Sequence, residues 1–454
     1  MSLRSTTFKV GTLSLLLIVA IQSSTRRLEK QTKNIQQGPC DDVRHTSGRR
    51  LTTATEEEAL RLANYLPNFH FSEHVQVLGP TVFPKPSDVA EQASDDVIVP
   101  ALQPVIGQHR PDQDAVFAFA AEYPIKNYVL FVQSLRKTGF TGDIVLSVHE
   151  IDLRNAEIRA FLSSDPGVVV YAPSTVCYNA ELETVESVKG GMRTCQTHKL
   201  WGKRHTDGTV TPLPDPRSQR TVANTRYEIY WIMALQYAPQ SWILIVDARD
   251  TVFQSNPFAD VPRQTDPTAK SGVLYFFGEN MDATRLGKSK QNSKWLQNAY
   301  GDVIGEHLKD KPTICSGASM GEQIALEAYI RAMVAEGDET GTVLMGSDQG
   351  FHNRLFYSHK LANARHIHDI VVFDQGTGIV NNMGALRTKS LTEWGNGKIL
   401  KEGAKGEYSV LNWDGTKSAV VHQFDRHKML TKYFFKEQGE LLYSEWQTQQ
   451  KIRK

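Results

Sequence analysis

An apolar run, Trp242 to Val246, ends abruptly in Asp247-Ala-Arg-Asp250. The run is rich in β-formers and short enough for a buried strand. Open α/β sheets bind their ligands outside the carboxyl ends of the strands. Two carboxylates there can hold a hard divalent cation, and the cation can hold a diphosphate. The plainer alternative is a strand-ending turn with a surface ion pair, because Asp is common in turns. Other polar groups stand at expected strand ends or helix starts. Ser316-Gly317-Ala-Ser319 reads as a small-residue loop that lets backbone N–H groups approach a ligand, or as a simple tight turn. Asp348-Gln349 opens a helix, where Asp348 is either a functional acid or an N-cap. His422, at the end of an apolar Val-Val, is a ligand or a buried hydrogen-bonded histidine. Arg226 falls in the first turn of a helix, where a cation opposes the dipole. It either faces solvent or contacts a nucleotide or phosphate.

The elements that must position these groups alternate between strand and helix. Val116 to Ala121 is a short strand. Pro124 suits a first helical turn, and Lys126 to Lys137 carries a helical stripe at Val129, Leu130, Val132 and Leu135. Asp143 to Val148 is the next strand, which completes a β-α-β unit. A helix (Asn155 to Leu162) and a strand (Gly167 to Tyr171) follow. Residues 173–222 read as irregular, with His198 and His205 as surface loop residues. Asn224 to Tyr237 reads as an amphipathic helix stopped by Ala238-Pro239, and it leads into the Trp242 strand. Ser271 to Phe277 is a strand, then a polar helical region runs to His307. The Ser316–Ser319 loop opens the helix Glu322 to Val334. Residues 370–382 read as two strands around a Gly turn. Tyr408 to Gly415 and Ser418 to His427 read as a hairpin around Asp414-Gly415. The alternation predicts an α/β fold with a mostly parallel sheet between helices.

With 454 residues, the chain has room for two or three average domains or one large α/β domain with appendages. An apolar content of 40% and a charged content of 22% are those of a globular protein, and a net charge of +1 argues against nucleic acid as a partner. Residues 1–24, with Arg4 and Lys9 before the apolar core Val10 to Ile21, read as a signal peptide or signal anchor. Either places the rest in the secretory pathway, although no Asn-x-Ser/Thr sequon occurs. Residues 25–110, rich in proline and holding a plausible helix at Thr55 to Tyr65, read as a stem. That leaves a main domain at 111–440 and a tail at 441–454. Of the four cysteines, Cys177 and Cys195 either pair in an oxidising compartment or remain buried thiols.

Taken in order, these segments resemble the GT-A class of nucleotide-sugar glycosyltransferases, of the glycogenin and galacturonosyltransferase type. The resemblance spans roughly Ala115 to Phe435. It rests on Tyr128, Ser134-Leu135, the Arg226 helix, Ile-Val-Asp247-Ala-Arg-Asp250, Ser316-Gly-Ala-Ser-Met-Gly321, Asp348-Gln349 with Asn353, and Val-Val-His422. It implies a GT-A fold and an enzyme, a hexosyl- or pentosyltransferase, that moves sugar from a nucleotide-sugar donor to a glycan, protein or other hydroxyl acceptor. It implies Mn²⁺ or Mg²⁺ held by Asp247, Asp250 and His422, with Lys428 on the departing diphosphate. Asp348 and Gln349 would lie near the transferred sugar. Ala120, Ala121 and Tyr123 would border the nucleotide, and Arg226, Ser316 and Gly317 would line the donor site. A GT-A enzyme with a signal anchor implies a type II membrane protein of the Golgi or ER lumen, or a secreted one if the segment is cleaved.

The sequence departs from the family's Asp-x-Asp at Arg249, which stands where the second acid is expected. Either Asp250 takes over as ligand, or Arg249 neutralises the diphosphate and metal dependence weakens. Two rival readings follow from the same residues. One is a catalytically silent nucleotide- or glycan-binding relative. The other is a haloacid-dehalogenase-type phosphatase, suggested by Asp247-x-x-Asp-Thr251, in which Arg249 would replace the general acid.

Overall fold

Short apolar runs bounded by turn residues become the strands of one seven-stranded sheet, and the apolar stripes between them become the helices that cover it. The computed structural model describes residues 97–452 except 180, 189–192, 215–218, 264–271, 282–283, 343–344, 362–363, 365, 387–399 and 403–406. The expected signal or anchor segment (1–24), the helix Thr55 to Tyr65 and the rest of the stem up to residue 96 lie outside the described residues. No described helix is long and apolar enough to cross a membrane.

In chain order the elements are β1 (Ala115–Phe119), α1 (Ile125–Lys137), β2 (Asp143–Ser147), α2 (Ala156–Leu162), β3 (Val168–Tyr171), β4 (Ser174–Tyr178), β5 (Thr194–His198) and α3 (Val222–Ala234). Then come β6 (Trp242–Val246), β7 (Thr251–Phe253), β8 (Val273–Gly278), α4 (Lys290–Leu308), β9 (Ile314–Glu322), α5 (Gln323–Thr340) and α6 (Ser347–Tyr357). The last are β10 (Asp369–Phe373), β11 (Val380–Asn382), β12 (Val420–His422) and α7 (Gly439–Ile452).

The central sheet has the order β10-β8-β9-β6-β1-β2-β3, and among the described strands β9 is the one that runs antiparallel to its neighbours in it. The expected mostly parallel sheet between helices is therefore present. From β1 the chain steps outward to β2 and β3, then returns to place β6 on the other side of β1. The switch point between β1 and β6 opens a crevice at their carboxyl ends, and Asp247 follows β6 directly.

Local chemistry explains most boundaries. The Asn155 side chain caps α2 by accepting from the Glu157 amide at 2.9 Å. Gly341, with φ of 60°, ends α5 in the left-handed conformation. Helix α3 differs from the amphipathic expectation. Ten of its thirteen residues are buried, because it lies between the sheet, α5 and the strand β5. The 173–222 segment also differs from its irregular reading. It holds β4, β5 and three shorter strands, and Cys177 faces Cys195 across the β4–β5 ladder in a disulfide. Cys315 is a free, buried thiol.

Two further corrections bear on the site. Ser316 to Ser319 is not a loop: it lies inside β9, a nine-residue strand buried throughout. Its small residues resemble a turn in sequence, yet they are what lets neighbours approach a central strand closely. The expected hairpin around Asp414-Gly415 forms only the turn and a bridge from Leu411 to Lys417. Tyr408–Val410 pairs instead with Leu400–Glu402, and β12 joins a separate three-stranded sheet between β7 and β11. Beyond this sheet, α7 packs on α1 and α2. Lys137 reaches Glu445 at 2.8 Å, and Phe161 meets Trp446 edge-on.

The core also contains a buried titratable group. His352, on α6, is fully buried, with Nδ1 2.7 Å from the Tyr329 hydroxyl. Burial pushes its imidazole down to about 3 from the usual 6.5. Between those values the unfolded chain binds the proton and the folded chain does not. This contribution is therefore full above pH 6.5 and is lost as pH falls toward 3. By pH 4 the loss amounts to about 3 kcal/mol. Chemical denaturation at pH 7, 5.5 and 4 reads it, and His352→Gln is expected to remove that part of the slope. A variant slope equal to that of the parent would refute the assignment.

Candidate functional site

Asp247 is held by the strand beside it. Its backbone N–H donates to the Gly317 carbonyl at 3.1 Å, which continues the β6–β9 ladder one residue past β6. Gly317 is required there. A Cβ at that position would stand 2.7 Å from Asp247 Oδ2 and 2.8 Å from His422 Cε1. His422 arrives from the small sheet, where it pairs with Thr251 of β7 on one side and Asn382 of β11 on the other. That register sets His422 beside Asp250, which immediately precedes β7. Ligand atoms of Asp247, Asp250 and His422 lie within 4.8 Å of one another.

The tautomer of His422 follows from its neighbour. The Asn382 amide donates to the carbonyls of Phe277 and Gly278 at 3.1 and 3.0 Å, so its oxygen faces His422 Nδ1 at 2.8 Å. Nδ1–H therefore donates, and Nε2 carries the lone pair. This Nε2 is buried, has no hydrogen-bond partner, and lies 3.6 Å from Asp247 Oδ2. A lone pair facing carboxylates calls for a cation between them, either a proton or a metal. An outer amide that fixes the ring of a ligand histidine is the usual companion of a metal. Two carboxylates and one imidazole suit a divalent cation.

The electrostatics agree. Burial pushes the His422 imidazole down, but the approach of Asp247 and the Asp250 charge outweigh it and hold the pKa above the ordinary value. Burial raises Asp250, with Asp247 and Asp425 adding to it against His422. Asp247 would also be raised by burial, but Arg226 and His422 hold it well below the usual carboxylate range. Arg226 bridges two acids, donating to Asp247 and, at 2.9 Å, to Asp348. Asp348 is buried, lies in the first turn of α6 without capping it, and accepts from Ser316 Oγ at 3.1 Å.

Gln349 and Asn353 both hold β9. The Gln349 amide accepts from Ser316 N at 2.7 Å and donates to the Ile314 carbonyl at 2.8 Å, while Asn353 takes up the Ile314 N–H at 3.0 Å. These bonds serve β9 where its register with β8 shifts.

Arg249 turns outward. Its half-exposed guanidinium reaches Asp425 at 3.1 Å and Asp250 at 3.4 Å. Asp250 points inward, so the second carboxylate of the cluster is Asp250. Burial, and after it the Asp247 charge, push the Tyr123 phenol up to about 12.

A cleft of about 400 Å³ opens beside the cluster. Arg226, Asp247, Ser316, Gly317, Asp348 and Gln349 line it, together with Glu279 after β8, Trp295 on α4, and Gln423 and Arg426 after β12. Five residues expected at the donor site, Ala120, Ala121, Tyr123, Arg249 and Lys428, are not among those that line this cleft. Lys428 is exposed at the start of a short helix, Lys428–Leu430, and does not line the cleft; the basic group that does is Arg426, two residues earlier, at the end of a short 3₁₀ turn, Phe424–Arg426. Ala120 and Ala121 are buried and do not line the cleft either, since Ala121 packs on the Cys177–Cys195 disulfide. Glu279, Asn382 and Trp295 are not singled out by the sequence, whereas Arg426 falls in the polar run His422 to Lys428 after the last strand. Glu279 had a signal, a carboxylate directly after an apolar strand; Asn382 had none.

No family model matches the chain, and no curated protein matches it. Among solved structures, one similar chain is the galactosyltransferase LgtC in complex with donor and acceptor sugar analogues, at 9% identity and a TM-score of 0.32, with 68% of this chain and 86% of that one covered. An active-site mutant of LgtC matches to the same extent. The apo structure of the bifunctional glycosyltransferase WbbM matches at 12% identity and a TM-score of 0.32, covering 60% of this chain and 40% of that one.

Proposed function

We propose that this chain is a GT-A-type glycosyltransferase that moves a hexosyl or pentosyl group from a nucleotide-sugar donor to a hydroxyl acceptor with the help of Mn²⁺ or Mg²⁺. The observation that carries the reading is the buried, unpartnered Nε2 of His422 facing Asp247 and Asp250 at the carboxyl end of β6. Those three residues would hold the cation, which supplies positive charge where a leaving diphosphate becomes more negative. Arg226 keeps Asp247 ionised and oriented. Arg426 brings a second cationic side chain to the same cleft, the role first expected of Lys428. Asp348 lines the cleft and would lie near the transferred sugar, while Gln349 positions Ser316 by its bond to that backbone. A phosphatase of the haloacid-dehalogenase type needs an acid where Arg249 stands, and that guanidinium is paired with Asp425.

A secretory location, with the N-terminal segment as signal peptide or type II anchor, is part of the proposal. Its support is the apolar run Val10 to Ile21 and a disulfide that needs an oxidising compartment.

The test is a thermal-shift panel of UDP, GDP and their sugars, with and without Mn²⁺. Stabilisation by nucleotide that grows with the metal is expected. No shift at millimolar ligand would sink the proposal, and binding without hydrolysis or transfer across a broad acceptor panel would leave a silent binder. The outward turn of Arg249 adds a sharper expectation. Arg249→Ala should leave metal-dependent nucleotide affinity within about threefold, because an exposed ion pair contributes little. A variant that loses its metal response would place Arg249 in the cluster after all.

A further inference from the structure

Arg249, Asp250, Asp425 and Arg426 close a ring of alternating charge beside the acid cluster. Asp250 accepts from Arg249 and from Arg426, each at 3.4 Å. Asp425 meets Arg249 at 3.1 Å and also pairs with Arg426. The two guanidiniums are not equivalent: Arg249 is half-exposed and does not line the cleft, whereas Arg426 does. Arg426 also shares one short segment with a cluster member. His422 ends β12, and Gln423 follows in a left-handed conformation with φ of 61°. Non-glycine residues seldom adopt it, and here the Gln423 amide is held by the Gly384 N–H at 3.0 Å. The Phe424–Arg426 turn then begins by donating the Phe424 N–H to the Asp250 carbonyl at 3.4 Å. The chain thereby sets a cation directly against one of the three proposed ligands.

We infer that Arg426 is the resident counter-ion of Asp250, and that it keeps free divalent cations out of the cluster until a nucleoside diphosphate draws its guanidinium away. The inference rests on the glycosyltransferase reading above and deepens it by naming how that site is regulated. A carboxylate as buried as Asp250, 4% exposed, needs a counter-charge. Arg426 supplies one without a metal, so guanidinium and metal contend for the same carboxylate. The contact is long, since charge-assisted bonds usually run to about 2.7–2.9 Å, and the Arg426 side chain is 34% exposed. It is loosely held and free to exchange. Asp425 gives it a second carboxylate to stay on while it leaves Asp250. A diphosphate in the cleft offers a better partner, because a planar guanidinium matches phosphate oxygens with its forked donors. The two ligands are then coupled through one side chain. Such coupling is reciprocal: diphosphate strengthens metal binding by the factor by which metal strengthens diphosphate binding. Arg249 touches the same carboxylate but does not line the cleft, so it shields Asp250 without following the diphosphate.

The full chain would be titrated with Mn²⁺, with and without saturating UDP. Free Mn²⁺ is read from its electron paramagnetic resonance signal, after correction for the Mn²⁺ that UDP binds in solution. Arg426→Gln should bind Mn²⁺ alone about three- to fivefold more tightly than the parent, because a competing ion pair is gone. In the same variant the strengthening of Mn²⁺ binding by UDP should shrink at least about fivefold. A gain of one affinity with a loss of the other, in a single residue, is the signature of exchange. A group that only contacts diphosphate leaves the affinity for Mn²⁺ alone unchanged. Arg249→Ala should keep the UDP effect of the parent within about threefold. Arg426→Lys should fall between the parent and Arg426→Gln in both quantities. Cooperative melting shows that a variant is folded; if Arg426→Gln does not melt cooperatively, Arg426→Lys decides, with the same signs at smaller size. The inference is overturned if the deciding variant binds Mn²⁺ alone no tighter than the parent, or keeps the full UDP effect of the parent. A parent that binds no UDP at millimolar levels with Mn²⁺ would instead remove the glycosyltransferase reading, and this inference with it.

Discussion

Asp247→Ala is expected to abolish the metal-strengthened binding of nucleotide. Removal of an outer hydrogen-bond partner of a metal ligand costs roughly 10- to 100-fold in metal affinity, so removal of a ligand itself should cost at least the larger figure. Asp247 is the member of the cluster that also touches Arg226 and faces Gly317 across the ladder. Its cluster partners are fixed where they stand, Asp250 at the entry to β7 and His422 by its bond to Asn382, so neither can swing into its place. The comparison variant is Asn382→Leu. It leaves every proposed ligand in place but frees the His422 ring to take the other tautomer, and it should fall within that roughly 10- to 100-fold range. Isothermal titration of Mn²⁺ with saturating UDP measures both. Equal, unchanged metal affinity in the two variants would exclude the cluster as the cation site.

How far the sequence foretold this site depends on the range of the interactions. Asp247, Asp250 and Asp348 are legible because each directly follows or opens a regular element with its own local pattern. The switch-point crevice follows from the order of strands. The partnership of Asp250 with His422 is not legible, because it depends on β12 pairing with β7 rather than closing a hairpin, a choice made by burial of Val420 and Val421 far from the Asp414-Gly415 turn. The nature of Ser316 to Ser319 was misread for a related reason. Gly and Ser carry a turn signal in isolation. In β9 they are small because Asp247 and His422 press on Gly317, and because Gly321 lies against Val273 and Leu274 of β8. Trp295 is not legible because its place at the cleft depends on how α4 packs against α6.

Arg226 carries the second large effect, and here stability and function fall together. From sequence it stood between a solvent-facing residue and a phosphate contact. Its side chain is 13% exposed and clamps Asp348, which is 7% exposed, to Asp247. Arg226→Met would leave Asp348 buried without its counter-charge, a defect that typically costs about 3–5 kcal/mol and would lower Tm by roughly 3–5 °C in a chain of this size. Arg226→Lys should recover only part of this, since one ammonium cannot present the forked donors that reach two carboxylates. The double variant Arg226→Met/Asp348→Asn removes the stranded charge yet keeps an acceptor for Ser316 Oγ. It should therefore melt several degrees above Arg226→Met alone, the coupling expected of residues in one ion-pair network. Its nucleotide binding should stay impaired, because Asp247 has lost the cation that holds it ionised and in place. A single variant that melts within about 1 °C of the parent, or a double variant no more stable than the single, would show that the two acids do not need Arg226; on the geometry here they do.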